Sequence, residues 1–282
     1  MKVLTNIFKN IGVMILAIAI LVIGQVIENA LYDLFSNVYL RLTVPCIVRI
    51  IVTVLIAWLV SSKLLGIPAD ELGVKIKKFD IRLLLLSIAL PLSVLAFYTF
   101  ILPSDPYVAK EGVLGKYIVD AVFSAGLTAG ITEEVVFRGI IFRYMKKTFG
   151  VKPAVIVPAV LFALVHITNM QTFNFIDVTL LILAGSSVSV MFTFMALHSG
   201  SIYPGAIAHA LWNAFIIGGV FGVGDIVNGV SNYSCIIIPI ASKSNLLTGG
   251  NFGIEAALPG SIGYITVAVL VFLMMRKKAV NE

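Results

Sequence analysis

The sequence predicts an all-α protein, a polytopic membrane bundle of about eight transmembrane helices. Three observations lead there. Apolar residues make up 60% of the 282 and charged residues 12%, against roughly 45–50% and about 25% in soluble domains. Mean hydropathy is +1.06, so lipid must form part of the solvent. The apolar residues also collect into solid runs that approach or exceed the roughly 20 residues needed to cross a bilayer. These runs lack the period-2 alternation of an outer-membrane barrel.

The runs lie near 11–27, 44–65, 83–102, 118–144, 153–168, 175–197, 202–223 and 260–275. The first follows Lys2 and Lys9 as a signal peptide would, yet no small-residue cleavage site closes it, so a retained helix is expected. Between the second and third runs, 66–82 reads as a linker of strand-like or short amphipathic character. Tyr107–Lys116 is amphipathic and suits the outer membrane surface. In the fifth run Pro153 fits a first turn, while Pro158 should kink the helix. In the sixth, the small residues of Ala184–Ser189 form a close packing surface. Ser199 or Ser201 can cap the seventh, with Pro204 in its first turn. The stretch 224–259 reads as an outer loop rich in Gly, Asn and Ser, with an apolar insert at Cys235–Ile240. The expected organisation is one membrane domain over 1–282. It divides into N-terminal helices (1–114), a core bearing the polar motifs (115–223), the outer loop (224–259), and a last helix with a basic end (260–282).

The charges give topology. Fourteen of the twenty basic residues fall in segments that share one side if Lys2 and Lys9 are cytoplasmic. These include Lys63, Lys75–Lys78, Lys146, Lys147 and Arg276–Lys278. Arg41, Arg49, Lys110, Lys116 and Lys243 fall outside or at the outer edge, and Arg138 lies within a run. The positive-inside rule then places the protein in the cell membrane with both termini cytoplasmic. The net charge of +6 is accounted for in this way, without a nucleic-acid partner. Cys46 and Cys235 are too few for a disulfide scaffold or a cysteine metal cage.

The remaining polar groups need another explanation, because a charge at the centre of a membrane helix costs roughly 2.5–3.5 kcal/mol. Glu133, Glu134 and Arg138 share the fourth run. Glu134 and Arg138 are four apart and on one face, so they can neutralise each other. Glu133 is about 100° away around the helix and is left as the better chemical candidate. Gly126 and Gly130 precede the acids at a spacing that admits a second helix backbone. Phe162 and His166 are four apart in the fifth run, as are His209 and Asn213 in the seventh. A single histidine of this kind is more often a packing residue. Together they put a carboxylate, two imidazoles and an amide into three helices of one bundle. Measured from the cytoplasmic ends at about 1.5 Å per residue, Glu133 is about 15 Å deep, His209 about 10–12 Å and His166 about 20 Å. Such a group can activate water at Glu133 with help from His166, and stabilise an oxyanion through His209 and Asn213. No cofactor is required by that scheme. A Zn2+ ion held by Glu133, His166 and His209 is the alternative, although no H-E-x-x-H is present. His198 falls in a turn and reads as solvated.

Glu133-Glu134-x-x-x-Arg138, Phe162-x-x-x-His166 and His209-x-x-x-Asn213, in that order on separate helices, resemble the three motifs of the CPBP intramembrane proteases. That family includes type II CAAX prenyl endopeptidases, bacteriocin-processing or immunity membrane proteins, and abortive-infection proteins. The resemblance implies an eight-helix fold and cleavage of a peptide bond in a membrane-associated peptide or protein. Glu133, His166, His209 and Asn213 would be catalytic, with Glu134, Arg138 and Phe162 supporting. Members are commonly called metalloproteases, although a glutamate-dependent scheme without metal fits the same residues. The bilayer and a peptide or protein substrate are the expected partners. Two other functions use the same groups: a bacteriocin-immunity protein that binds a peptide without turnover, and a proton-coupled carrier. No matched pair of broken helices supports the carrier.

Overall fold

The computed structural model describes residues 2–75, 79–102, 105–108, 114–170, 172–224 and 234–281. Among them are eight principal helices: α1 (Lys2–Tyr32), α2 (Val38–Lys63), α3 (Ile81–Ile101), α4 (Leu114–Phe149), α5 (Val151–His166), α6 (Phe175–Ser199), α7 (203–217) and α8 (Leu258–Asn281). All but α7 are long and apolar enough to cross a membrane. The protein is thus a multi-pass membrane bundle. Backbone groups in lipid must be satisfied within their own segment, which is why runs this apolar form helices.

The seventh run was expected to span 202–223, and here the structure differs. α7 is ten residues of α-helix continued by five of wider π-helix. At about 1.5 Å per residue it reaches roughly 22 Å, less than the roughly 30 Å of a hydrocarbon core. It is short because it starts inside the bundle. Ser199, Ser201 and Ile202 are buried. The carbonyl of Gly73 accepts the Ile202 N–H at 3.0 Å and the Ser201 hydroxyl at 2.9 Å. Ile67 and Leu72 are buried in the same irregular segment. The 66–82 linker is therefore a plug beneath α7, with neither strand nor helix among its described residues before α3. Lys77 and Lys78 lie outside the described residues.

Capping and glycine set the other boundaries. The Asn37 side chain accepts the Tyr39 and Leu40 N–H groups at the start of α2. Asp80 does the same for Arg82 at α3, and Asn174 for Asp177 at α6. Gly200, at φ 72, ends α6 in a conformation only glycine adopts freely. Pro204 sits in the first turn of α7, and the Ser201 hydroxyl accepts the Tyr203 N–H. Pro158 lies inside α5, which continues through it.

Small residues bring the helices together, since lipid supplies no hydrophobic drive between them. A Cβ on Gly185 of α6 would meet Ala163 of α5 at 2.9 Å, as the small-residue stretch there suggests. A Cβ on Gly130 of α4 would meet the Ala206 carbonyl at 2.8 Å and the Ala210 nitrogen at 2.9 Å. α4 is interrupted by two π-helical stretches, Ala121–Thr128 and Val135–Ile141, on either side of Ala129–Glu134.

At the opposite end from the plug, β1 (Tyr107–Val108), β2 (Phe221–Gly224) and β3 (Ile236–Pro239) form a sheet in the order β1-β3-β2. β3 runs antiparallel to β1 and parallel to β2. The apolar insert of the outer loop is this strand β3. Tyr107–Val108 being a strand also replaces the expected surface helix, whose middle, 109–113, lies outside the described residues.

The Arg49 assignment is corrected too. It lies eleven residues into α2, not at its edge, and its guanidinium reaches Glu28 of α1 at 2.6 Å and the Gln25 side chain. Its long stem lets the charge move toward the end of the helix while the backbone stays deep.

Candidate functional site

α4 presents its two glutamates to different surroundings. Glu134 is fully buried, and its Oε1 accepts Arg138 Nη1 at 2.8 Å. Arg138 Nη2 donates across to α6, to the Ser189 carbonyl at 2.9 Å and its hydroxyl at 2.6 Å. The rings of Phe137, Phe162 and Phe192 surround the guanidinium at 5.1–5.8 Å. This pair is dry and closed, so losing either partner would leave an uncompensated charge.

Glu133 points elsewhere. Its side chain is 19% exposed and lines a cavity of about 300 Å3 between α4, α5, α6, α7 and α8. His166, the last residue of α5, places Nε2 4.0 Å from Glu133 Oε2. Its Nδ1 lies 2.7 Å from the Phe162 carbonyl, and only a hydrogen-bearing nitrogen pairs with a carbonyl. In the neutral ring Nε2 therefore keeps its lone pair, aimed at the cavity. Phe162 also packs against the imidazole at 4.6 Å between ring centres.

His209 comes from α7. Its Nε2 is 3.9 Å from Glu133 Oε2 and its Nδ1 is 3.4 Å from Glu134 Oε1. The ring is stacked on Phe192 at 4.9 Å and 17°. Asn213 opens the π turn that ends α7, and its Nδ2 donates to the Ala125 carbonyl at 3.1 Å. The second Nδ2 hydrogen remains for a ligand. Glu133, His166, His209 and Asn213 thus line one cavity, with Glu134, Arg138 and Phe162 packed behind it. The depths estimated from sequence differ because α7 was measured from the membrane edge, whereas it begins above the plug.

These donors do not fit Zn2+ as they stand. Ligands around a tetrahedral zinc, each at about 2.0–2.2 Å, lie about 3.4 Å apart. Glu133 Oε2 is 3.9 and 4.0 Å from its two imidazoles, and no group of three metal-ligating side chains occurs among the described residues.

Two further residues change the picture. His198 is not solvated: its side chain is 5% exposed and its Nε2 lies 2.9 Å from Asp80 Oδ2. It fastens the end of α6 to the start of α3. Arg82, and after it His198, hold the Asp80 carboxyl well below the usual carboxylate range. Glu255, in a short turn before α8, lines the catalytic cavity and was not anticipated. Burial, with the charge of Glu133 adding, pushes its carboxyl up to about 8.

Residues 116–215 match the family model described as type II CAAX prenyl endopeptidase Rce1-like. Over that segment the chain is an Rce1-like membrane protease. No curated protein and no solved structure matches the chain. The Rce1-like segment runs from the first turn of α4 almost to the end of α7 and contains all three polar motifs. Helices α1–α3 and α8, the strands, and Glu255 lie outside it.

Proposed function

We propose that the protein is an intramembrane endopeptidase that hydrolyses a peptide bond of a membrane-associated peptide or protein with water activated by Glu133. One observation carries the proposal: Glu133 Oε2 faces the Nε2 atoms of two histidines at 3.9 and 4.0 Å inside a cavity of the membrane bundle. Atoms at that separation can share one water oxygen at about 2.8 Å from each. Glu133 takes a proton from that water, with the Nε2 lone pair of His166 assisting. The hydroxide oxygen bonds to the scissile carbonyl carbon. The resulting oxyanion accepts from His209 Nε2–H and from the second N–H of Asn213. Glu134, close behind His209 Nδ1, favours the ring form that carries both hydrogens. As the C–N bond breaks, the proton held by Glu133 passes to the leaving amine. No step needs a metal.

Glu133→Gln and His166→Ala should keep the thermal midpoint of the parent and lower kcat by about 10²–10⁴-fold. Undiminished peptide cleavage by purified Glu133→Gln would remove the assignment of that base. Elemental analysis of the same active preparations distinguishes this scheme from a Zn2+ one. The basic segments also lead us to propose that both termini and the plug are cytoplasmic.

A further inference from the structure

The segment after β3 returns to the bundle and roofs the cavity. One helical turn, Asn245–Thr248, leads into two 3-10 turns, Gly250–Phe252 and Ile254–Ala256. Asp177, buried at the start of α6, accepts Asn245 Nδ2 at 2.8 Å and the Asn251 N–H at 2.9 Å. Gly250, at φ +61, lies against the same carboxylate with no room for a Cβ. Ile254 and Ala256 are buried on either side of Glu255, and the Tyr264 hydroxyl donates to the Glu255 backbone carbonyl at 3.3 Å. The roof therefore fixes Glu255 in the wall that also holds Trp212 and Tyr264, whose rings meet edge to face at 4.9 Å.

Most acids inside the bundle already have a donor. Glu28 has Arg49, Asp80 has Arg82 and His198, Asp120 has Ser124, Glu134 has Arg138, and Asp177 has the roof. Among the described residues no hydrogen-bond donor reaches the carboxyls of Glu133 and Glu255, and both line the cavity. Glu133 has water to activate. Glu255 has no such task, and a carboxylate withdrawn from water without a donor is costly. An arriving cation would remove that cost, and the adjacent Trp212 and Tyr264 rings attract cations as well.

We propose that Glu255 selects the substrate by binding an ammonium or guanidinium group, from a basic side chain or a free amino terminus, next to the bond that is cleaved. The proposal rests on the endopeptidase reading of the cavity. It also has a pH signature. The ionisable groups facing Glu255 are Glu133 on α4, His166 on α5, His209 on α7 and Tyr264 on α8; the α6 wall is apolar. Without a cation Glu255 keeps its proton up to about pH 8. Cation binding releases that proton, so preference for a cationic peptide rises as pH passes through this value, while lysine stays charged to about 10.

The test uses the purified full chain in lipid nanodiscs and pairs of labelled peptides. One set of pairs exchanges lysine for norleucine at each position; the other has a free or an acetylated amino terminus. Binding is read by fluorescence anisotropy and cleavage by mass spectrometry, for the parent, Glu255→Gln and Glu255→Ala. The parent should favour one cationic member about tenfold, more at about pH 9 than at about pH 6.5. In Glu255→Gln the ratio should fall to near one at both pH values. The responsive set of pairs identifies the side chain or the terminus as the source. A ratio retained in Glu255→Gln, or cleavage by the parent indifferent to both exchanges, overturns the proposal and leaves the endopeptidase standing. A cation preference in binding that Glu255→Gln abolishes, with no cleavage by any form, supports Glu255 and overturns the endopeptidase.

Discussion

Glu133 and Glu134 are adjacent in sequence and opposite in circumstance. One turns a bare carboxylate into a cavity; the other is locked to Arg138 in a dry shell of phenylalanines. The 100° step between neighbours on a helix accounts for the division, and the four-residue spacing of Glu134 and Arg138 made it legible in advance. His166 and His209 were legible for a related reason: in so apolar a chain each polar group within a run needs a cause. His198 and Glu255 were not. His198 lies in a turn, and its partner Asp80 is 118 residues away. Glu255 precedes an apolar run instead of interrupting one, so no hydropathy argument marks it. The Asp80 contact has a measurable consequence. Its carboxyl is depressed in the folded protein, so the pairing contributes stability above the unfolded value of about 4 and loses it as pH falls through the depressed value. Asp80→Asn should lower the thermal midpoint near neutral pH, and the gap to the parent should shrink on acidification below about 4. A gap that is constant with pH would assign the loss to shape alone.

Among the elements, α4 and α7 decide whether the site exists. The π stretches of α4 flank its acids, and such widened turns often occur at functional sites. The Asn213 amide reaches the carbonyl of Ala125 in the first of them. Sequence periodicity marked the helix but not its changes of winding, because a one-residue widening hardly alters a solidly apolar run. The GxxxG spacing of Gly126 and Gly130 was the more useful sign, since the α7 backbone does pack there. Gly130→Leu should separate α7 from α4, destabilise the bundle by about 1–3 kcal/mol, and move His209 and Asn213 away from Glu133. Cleavage should be lost at temperatures where the variant is still folded, as judged by circular dichroism. Full activity in Gly130→Leu would contradict the close approach. The length of α7 was misjudged because hydropathy counts apolar residues but does not show that a helix starts above a plug.

At the scale of the molecule, the alternation of helices was legible from apolar runs, and the basic residues gave its sense. The structure links 66–75, the α4–α5 corner and the α6–α7 turn at one end, through Lys147 to Gly66, Ser201 to Gly73 and His198 to Asp80. A C-terminal green fluorescent protein should therefore fluoresce, and a cysteine introduced at Lys243 should react with an impermeant maleimide from outside intact cells. Labelling of Lys152→Cys from outside instead would reverse the orientation. Packing at the two ends could not be read from sequence, because it depends on contacts between loops far apart in the chain.

The clasp of Gly73 on the start of α7 has one more consequence. Membranes that store energy as a proton-motive force cannot tolerate a wet passage lined with acids and imidazoles, since protons would hop along it and discharge the gradient. Ser201, Ile202 and Leu72, each about 1% exposed, close the floor beneath His209, while the rim at Asn169 and Ile217 is open. Water can thus enter for hydrolysis and leave by the same door, and the bilayer stays electrically sealed.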